Sequence, residues 1–193
     1  MILPVIKYGH PVLRQKGARI ETITLEIKQL IADMFETMYA NKGIGLAAQQ
    51  VGQALQLTVL DLRPVTDRPS KVELQGKPAE LDDIMPLVLI NPELKPVNEP
   101  VPGPEGCLSF PEMYAEISRP ESVDVTALNE KGKPIAFRAG GLLARAVQHE
   151  ADHLNGILFI DRMDRKTKSE LRDELDMLQD ETKAALEAVK RKK

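Results

Sequence analysis

The run Gln148-His149-Glu150-Ala151-Asp152-His153-Leu154-Asn155-Gly156 constrains this chain more than any other segment. Gly140-Gly141 precedes it, followed by the apolar Leu142, Leu143, Ala146 and Val147, and Gly156 follows. This pattern predicts a helix over Leu142–Leu154 that Gly156 closes and that runs through the core. On a helix, residues four apart share a face, so His149 and His153 present both imidazoles to one cation with Glu150 beside them. That is the spacing of a zinc-type hydrolytic site, two ligands and a carboxylate able to take a proton from an activated water. Five residues are too short a pattern to stand alone, and such a site needs a third ligand.

The 193-residue chain has the length of one domain that buries about 70% of its unfolded surface. A net charge of −3 gives no reason to expect DNA or other nucleic acid as a partner, and with no tryptophan there is little to stack on bases. No stretch reaches membrane-spanning length, and Met1-Ile2-Leu3-Pro4-Val5 lacks the apolar run of a signal peptide. A single cysteine makes no intrachain disulfide, which fits a reducing cytoplasm and frees the thiol for other chemistry.

Ile27, Leu30, Ile31, Met34, Phe35 and Met38 recur at helical steps, predicting a helix over residues 24–41 with its stop at Gly43. Residues 57–62 and 87–90 read as buried strands, the second ending at Asn91-Pro92. Residues 63–85 read as a surface excursion and 96–104 as a proline-rich connection. Residues 122–128 and 134–138 form a hairpin with its turn at Asn129–Gly132, and residues 166–191 form a terminal helix whose Leu171, Leu175 and Leu178 share a face. The expected fold is α+β: a single domain with mixed or antiparallel sheets packed around the central metal-binding helix, plus a C-terminal helix.

A tetrahedral catalytic site takes three protein ligands and keeps one position open. One protease pattern would need a histidine where Phe159 stands, and another would use a glutamate such as Glu170 or Glu174, which nothing distinguishes from solvated charges. His10, before Pro11, suits a structural role. Cys107, in the Gly-flanked run Glu105-Gly106-Cys107-Leu108-Ser109, gives with the histidines a coherent Cys/His/His set suited to zinc, iron, nickel or cobalt.

Three segments taken together resemble the motifs of peptide deformylases, in the family's order: Gly43-Ile44-Gly45-Leu46-Ala47-Ala48-Gln49-Gln50, Glu105-Gly106-Cys107-Leu108-Ser109 and Gln148-His149-Glu150-Ala151-Asp152-His153. The opening Tyr8-Gly9-His10-Pro11-Val12-Leu13-Arg14 is similar too. The resemblance implies an enzyme that removes formyl from the N-terminal formylmethionine of nascent polypeptides and releases formate. Cys107, His149 and His153 would hold one divalent metal ion, Fe(II) in the cell, with Zn(II), Ni(II) or Co(II) in isolated protein. Glu150 would be general base and acid, and the Gln50 amide and Leu108 N–H would bind the oxyanion. Ile44 and Gly45 would pair with substrate backbone as an added strand, with Gly106 on its other side. Asp152 and Gln148 would have supporting or structural roles.

Gly43 and Gly45 read first as backbone hinges. Arg145, where family members often carry an apolar residue, reads as reaching solvent, and Tyr114 reads either as a strand aromatic or as part of the pocket mouth. Lys190-Arg191-Lys192-Lys193 reads as a soluble helix end, with ribosome docking the sharper alternative that the resemblance raises. The rival functions are a metalloprotease, disfavoured by Phe159, and a silent ribosome-binding factor, disfavoured by retention of Glu150, Gln50 and the ligand set.

Overall fold

Thr24 opens the first helix, its hydroxyl accepting the Ile27 N–H at 3.3 Å. In the computed structural model, which describes residues 1–192, this helix, α1, spans Leu25–Ala40. The helix stops one residue earlier than the glycine pattern suggested. Lys42, not Gly43, takes the left-handed conformation (φ 56°), and the Gly43 N–H closes on Met38 O at 2.9 Å.

The first five strands are β1 Gly45–Ala47, β2 Leu57–Leu60, β3 Ser70–Leu74, β4 Lys77–Ala79 and β5 Leu87–Pro96. After them come β6 Pro100–Cys107, β7 Phe110–Pro120, β8 Ser122–Leu128 and β9 Pro134–Gly141. A seven-stranded sheet runs in the order β1-β2-β5-β8-β9-β3-β4, and β6 and β7 form a separate two-stranded ribbon. Every pairing within both sheets is antiparallel; the parallel contact is an isolated bridge between Ala18 and Leu55. Helix α2, Leu142–Leu154, crosses between the sheets, and α3, Arg165–Glu170, and α4, Arg172–Lys190, follow it.

Four expectations about elements need correction. The excursion at 63–85 contains the β3–β4 hairpin, turned by Gln75 and Gly76 at positive φ, which extends the large sheet beside β9. The strand at 87–90 does not end at Asn91-Pro92. It passes a bulge between Ile90 and Glu93, where Asn91 (φ 52°) turns its amide onto both backbone groups of Ile20. Residues 96–104 are largely strand β6. Pro100, Pro102 and Pro104 alternate, so their missing N–H groups all fall on the side of β6 that faces away from β7. The terminal helix is broken at Leu171 into α3 and α4, and Lys193 lies outside the described residues.

Three apolar clusters hold these pieces. Leu142, Leu143 and Val147 of α2 pack on the large sheet around Phe137 and Leu89. Met34 and Met38 of α1 pack on Leu46, Leu57 and Ile90. The ribbon's Phe110, Met113 and Ile117 pack with Phe159, Leu13 and Leu175 of α4, which ties both chain ends to the metal-helix side of the molecule. Gly141 lets strand become helix without a gap: it ends β9 at φ 62°, and a Cβ there would strike the Pro69 carbonyl.

Candidate metal centre and cleft

The central helix has no solvent face to speak of: twelve of its thirteen residues are buried. His149 and His153 lie one turn apart with ring centroids 5.1 Å from each other. Cys107, at the end of β6, reaches them from the ribbon, its Sγ 3.3 Å from His153 Nε2. One donor atom from each of Cys107, His149 and His153 falls within 4.8 Å of the others. A thiolate and two imidazoles at that spacing fit a single divalent transition-metal ion. Among the described residues, no other cluster of this kind includes Glu170, Glu174 or His10. Both glutamates are exposed, and His10 caps a short 3-10 turn by accepting the Val12 N–H at 3.1 Å. Phe159, in the position that a longer protease pattern gives to histidine, is a buried wall with its ring 5.0 Å from Phe110 and 6.0 Å from His149.

The outer partners differ between the two histidines. His149 Nδ1 meets Glu105 Oε1 at 2.8 Å, which fixes the ring and leaves Nε2 for a metal. His153 Nδ1 is buried without a partner. Glu105 sits in a buried charge network. Arg119 grips it with two bonds of 2.6 and 2.9 Å and reaches on to Asp152 at 2.8 Å, while Asp152 also holds Arg162. Burial works to raise the Glu105 carboxyl, but His149 and Arg119 override it and hold it near about 2. Arg145 belongs to the same network and does not reach solvent as expected. It is 7% exposed, and its guanidinium bonds Glu105 and the carbonyls of Ile117 and Val101 at 2.7–2.8 Å. Helical spacing alone cannot show that the ribbon closes over this face. Gln148 donates to Pro120 O and Ala144 O, a structural role.

Burial pushes the Glu150 carboxyl up to about 7, against the lowering influence of His149 and Arg119, and its Oε2 has no partner. For His149, burial favours the neutral ring, yet Cys107 and Glu105 raise it to about 10; burial, then His149 and Arg119, keep His153 well below its ordinary value. The Gln50 amide is fixed at both ends. Its oxygen accepts the Ala47 N–H at 2.9 Å, which turns the NH2 towards Ser109 Oγ (3.2 Å) and Cys107 Sγ (3.5 Å).

Above these groups opens a cleft of about 550 Å3, lined on one side by residues 43–45 and on the other by residues 104–107. Both walls are free strand edges, since β1 ends the large sheet and β6 pairs with β7 alone. Gly43 and Gly45 are not hinges, because neither has positive φ. Gly45 is needed for room: a Cβ there would lie 2.5 Å from Glu150 Oε1. The Asp61 N–H donates to Ile44 O at 2.9 Å, so by ladder alternation the peptide groups of Gly45 turn outward into the cleft. On the other wall Gly106 has the same parity as Pro100, Pro102 and Pro104, and it is the first of that row with an N–H to direct outward. Tyr114 lies against Gly106, is 71% exposed and lines the cleft mouth. Lys7 Nζ bonds Leu108 O at 2.8 Å and steadies the turn that follows Cys107. Sequence reasoning missed Arg119 and Lys7 altogether; Glu105 stood inside a quoted motif, but nothing local marks a residue as a histidine's acceptor.

Known proteins resemble this chain over most of its length. The family model described as polypeptide deformylase matches residues 2–169. The peptide deformylase of Opitutus terrae is 43% identical over 187 residues, covering 96% of this chain and 97% of that protein. That of Acinetobacter baumannii is 40% identical over 191 residues, covering 98% and 99%. Among solved structures, a peptide deformylase from Synechococcus elongatus in complex with actinonin superposes with a TM-score of 0.76 at 41% identity, over 90% of this chain and 86% of that one. Peptide deformylase 1B of Arabidopsis thaliana in complex with an inhibitor gives 0.80 at 37% identity, over 95% and 93%. The chain therefore belongs to the polypeptide deformylase family of metal-dependent hydrolases.

Proposed function

We propose that this enzyme removes the formyl group from the N-terminal formylmethionine of nascent polypeptides, releasing formate. The observation that carries the reading is the Glu150 carboxylate, its Oε2 unpartnered, buried beside a Cys107/His149/His153 cluster at the floor of a cleft walled by two free strand edges. Cys107, His149 and His153 would hold the divalent ion, which supplies Lewis acidity for the formyl oxygen and lowers the pKa of a coordinated water. Fe(II) is the ion we assign in the cell, with Zn(II), Ni(II) or Co(II) able to replace it.

Substrate enters as one extended strand between Gly45 and Gly106, held by backbone groups on both sides; Ile44, expected to pair through its backbone as well, has its carbonyl taken by the Asp61 N–H and contributes its side chain instead. Leu142, Ala146 and the aliphatic stem of Arg145 line the space for the methionine side chain, the Arg145 guanidinium being held away by Glu105. Gln50 Nε2 and the Leu108 N–H bind the oxygen that gains charge as the formyl carbon becomes tetrahedral; each such donor contributes about 3 kcal/mol. Glu150 takes the proton of the attacking water on its carboxylate and delivers it to the departing amine nitrogen, a task suited to a group near neutrality. Asp152 holds Arg119, which holds Glu105, which orients His149.

We place this work in the cytoplasm, where nascent chains emerge. No helix among the described residues is long and apolar enough to cross a membrane. The exposed Met177 and Val189 of α4, with its basic end, support docking of that helix on the ribosome. A truncation after Leu178 should then lose ribosome co-sedimentation, and unchanged co-sedimentation would remove that part of the reading.

The direct test is formate release from a formyl-Met tripeptide by protein prepared without oxygen and loaded separately with iron, nickel and zinc. Formate with peptide bonds intact is the expected outcome. No formate from any fully metallated form would overturn the reading.

A further inference from the structure

Both walls of the cleft run in the same direction. From residue 42 to Gly45 the chain approaches Glu150, and from Pro104 to Cys107 it approaches the metal-ligand cluster. A substrate strand whose formyl end lies at that cluster therefore leaves antiparallel to both walls. At about 3.3 Å per residue, its third and fourth residues emerge where Lys42 stands on one wall and Pro104 on the other. Arg68 stands at Pro104: its Nη2 donates to the Pro104 carbonyl at 3.2 Å, and both Arg68 and Lys42 line the cleft. The exit is thus flanked by two cations on a protein of net charge −3. The other charged groups lining the cleft are Lys7, tied to Leu108 O, Arg145 and Glu105, tied to each other, Glu150 at the metal-ligand cluster, and Glu112 of β7, an exposed carboxylate.

Lys42 also holds a strained backbone position. It takes the left-handed conformation that ends α1, where glycine is least strained and lysine unfavourable, and it makes no ion pair among the described residues.

Resting on the deformylase reading above, we propose that Lys42 and Arg68 form a specificity gate that favours substrates with acidic side chains at the third and fourth residues after the formyl end. The test compares kcat/KM of the metal-loaded enzyme for three C-terminally amidated peptides that begin formyl-Met-Ala and continue with Ala-Ala, Asp-Asp or Lys-Lys. The amide removes the terminal carboxylate, which would otherwise engage the same cations.

The acidic peptide should exceed the neutral one by about five- to tenfold and the basic one by more, with the ratio shrinking as salt is added. In the double variant Lys42→Gly, Arg68→Gln the acidic-to-neutral ratio should fall to near one. Lys42→Gly relieves the left-handed backbone, and any loss of folded enzyme would lower the rate on every peptide alike and leave the ratio unchanged. Formate from the neutral peptide with no acidic preference, or a preference that survives the double variant, overturns the gate alone. No formate from any of the three defeats the deformylase reading and the gate with it.

Discussion

At Gly45 the contact between strand edge and helix leaves no room for a methyl group, because Glu150 Oε1 occupies the space where one would project. Gly45→Ala should keep its metal yet lose about a hundredfold or more in kcat, since the carboxylate must swing away from the reacting group. Metal analysis and steady-state kinetics check both halves. Glu150 itself carries a cost. Its folded value near 7 exceeds the ordinary 4.5, so the folded state binds the extra proton between those values. That contribution to stability is complete below pH 4.5 and is lost as pH rises through 7. Metal-free Glu150→Gln should therefore be more stable than the parent above pH 7 and no more stable below 4.5, as thermal unfolding across pH would record. A bound dication would stabilise the ionised carboxylate and shrink the difference, and it would place the acidic limb of kcat/KM below 7.

Among the elements, α2 was legible because its apolar spacing and glycine flanks are local. Its ligands were legible because four-residue spacing on a helix is itself a geometric statement. Strand β6 was not, since alternating prolines resemble a loop until a partner on one side only makes them compatible with pairing. The β3–β4 hairpin is short and half-exposed, so it has little apolar alternation to announce it. Arg145 and Arg119 were misjudged or missed for one reason: a buried cation is revealed by its distant acceptor, here Glu105 on β6. Glu105→Gln should accordingly do two things at once. It leaves buried Arg145 without a carboxylate and Arg119 with Asp152 alone, which costs about 3–5 kcal/mol in urea unfolding. It also weakens the acceptor for His149, which should lower metal affinity about 10- to 100-fold in chelator competition. A variant with normal stability and normal metal retention would contradict the role given to this network.

The whole molecule is two sheets joined by one helix and separated by one cleft. A ligand that pairs with both free edges ties the ribbon to the large sheet. A non-hydrolysable formyl-Met peptide analogue at a hundred times its Kd should therefore stabilise the fold by about 2.7 kcal/mol, readable as a higher Tm. At the far side, Leu175 secures α4 to the ribbon's cluster. Leu175→Ala should destabilise by about 2–5 kcal/mol while leaving kcat near that of the parent. The cleft's two open edges also set a timetable. On the proposed binding mode their gap would accept a single extended segment, and a strand already paired in a finished sheet has no free side to give. The clients of this enzyme are thus chain ends that have not yet found their own partners, and the time allowed for each reaction is fixed by how fast the client folds.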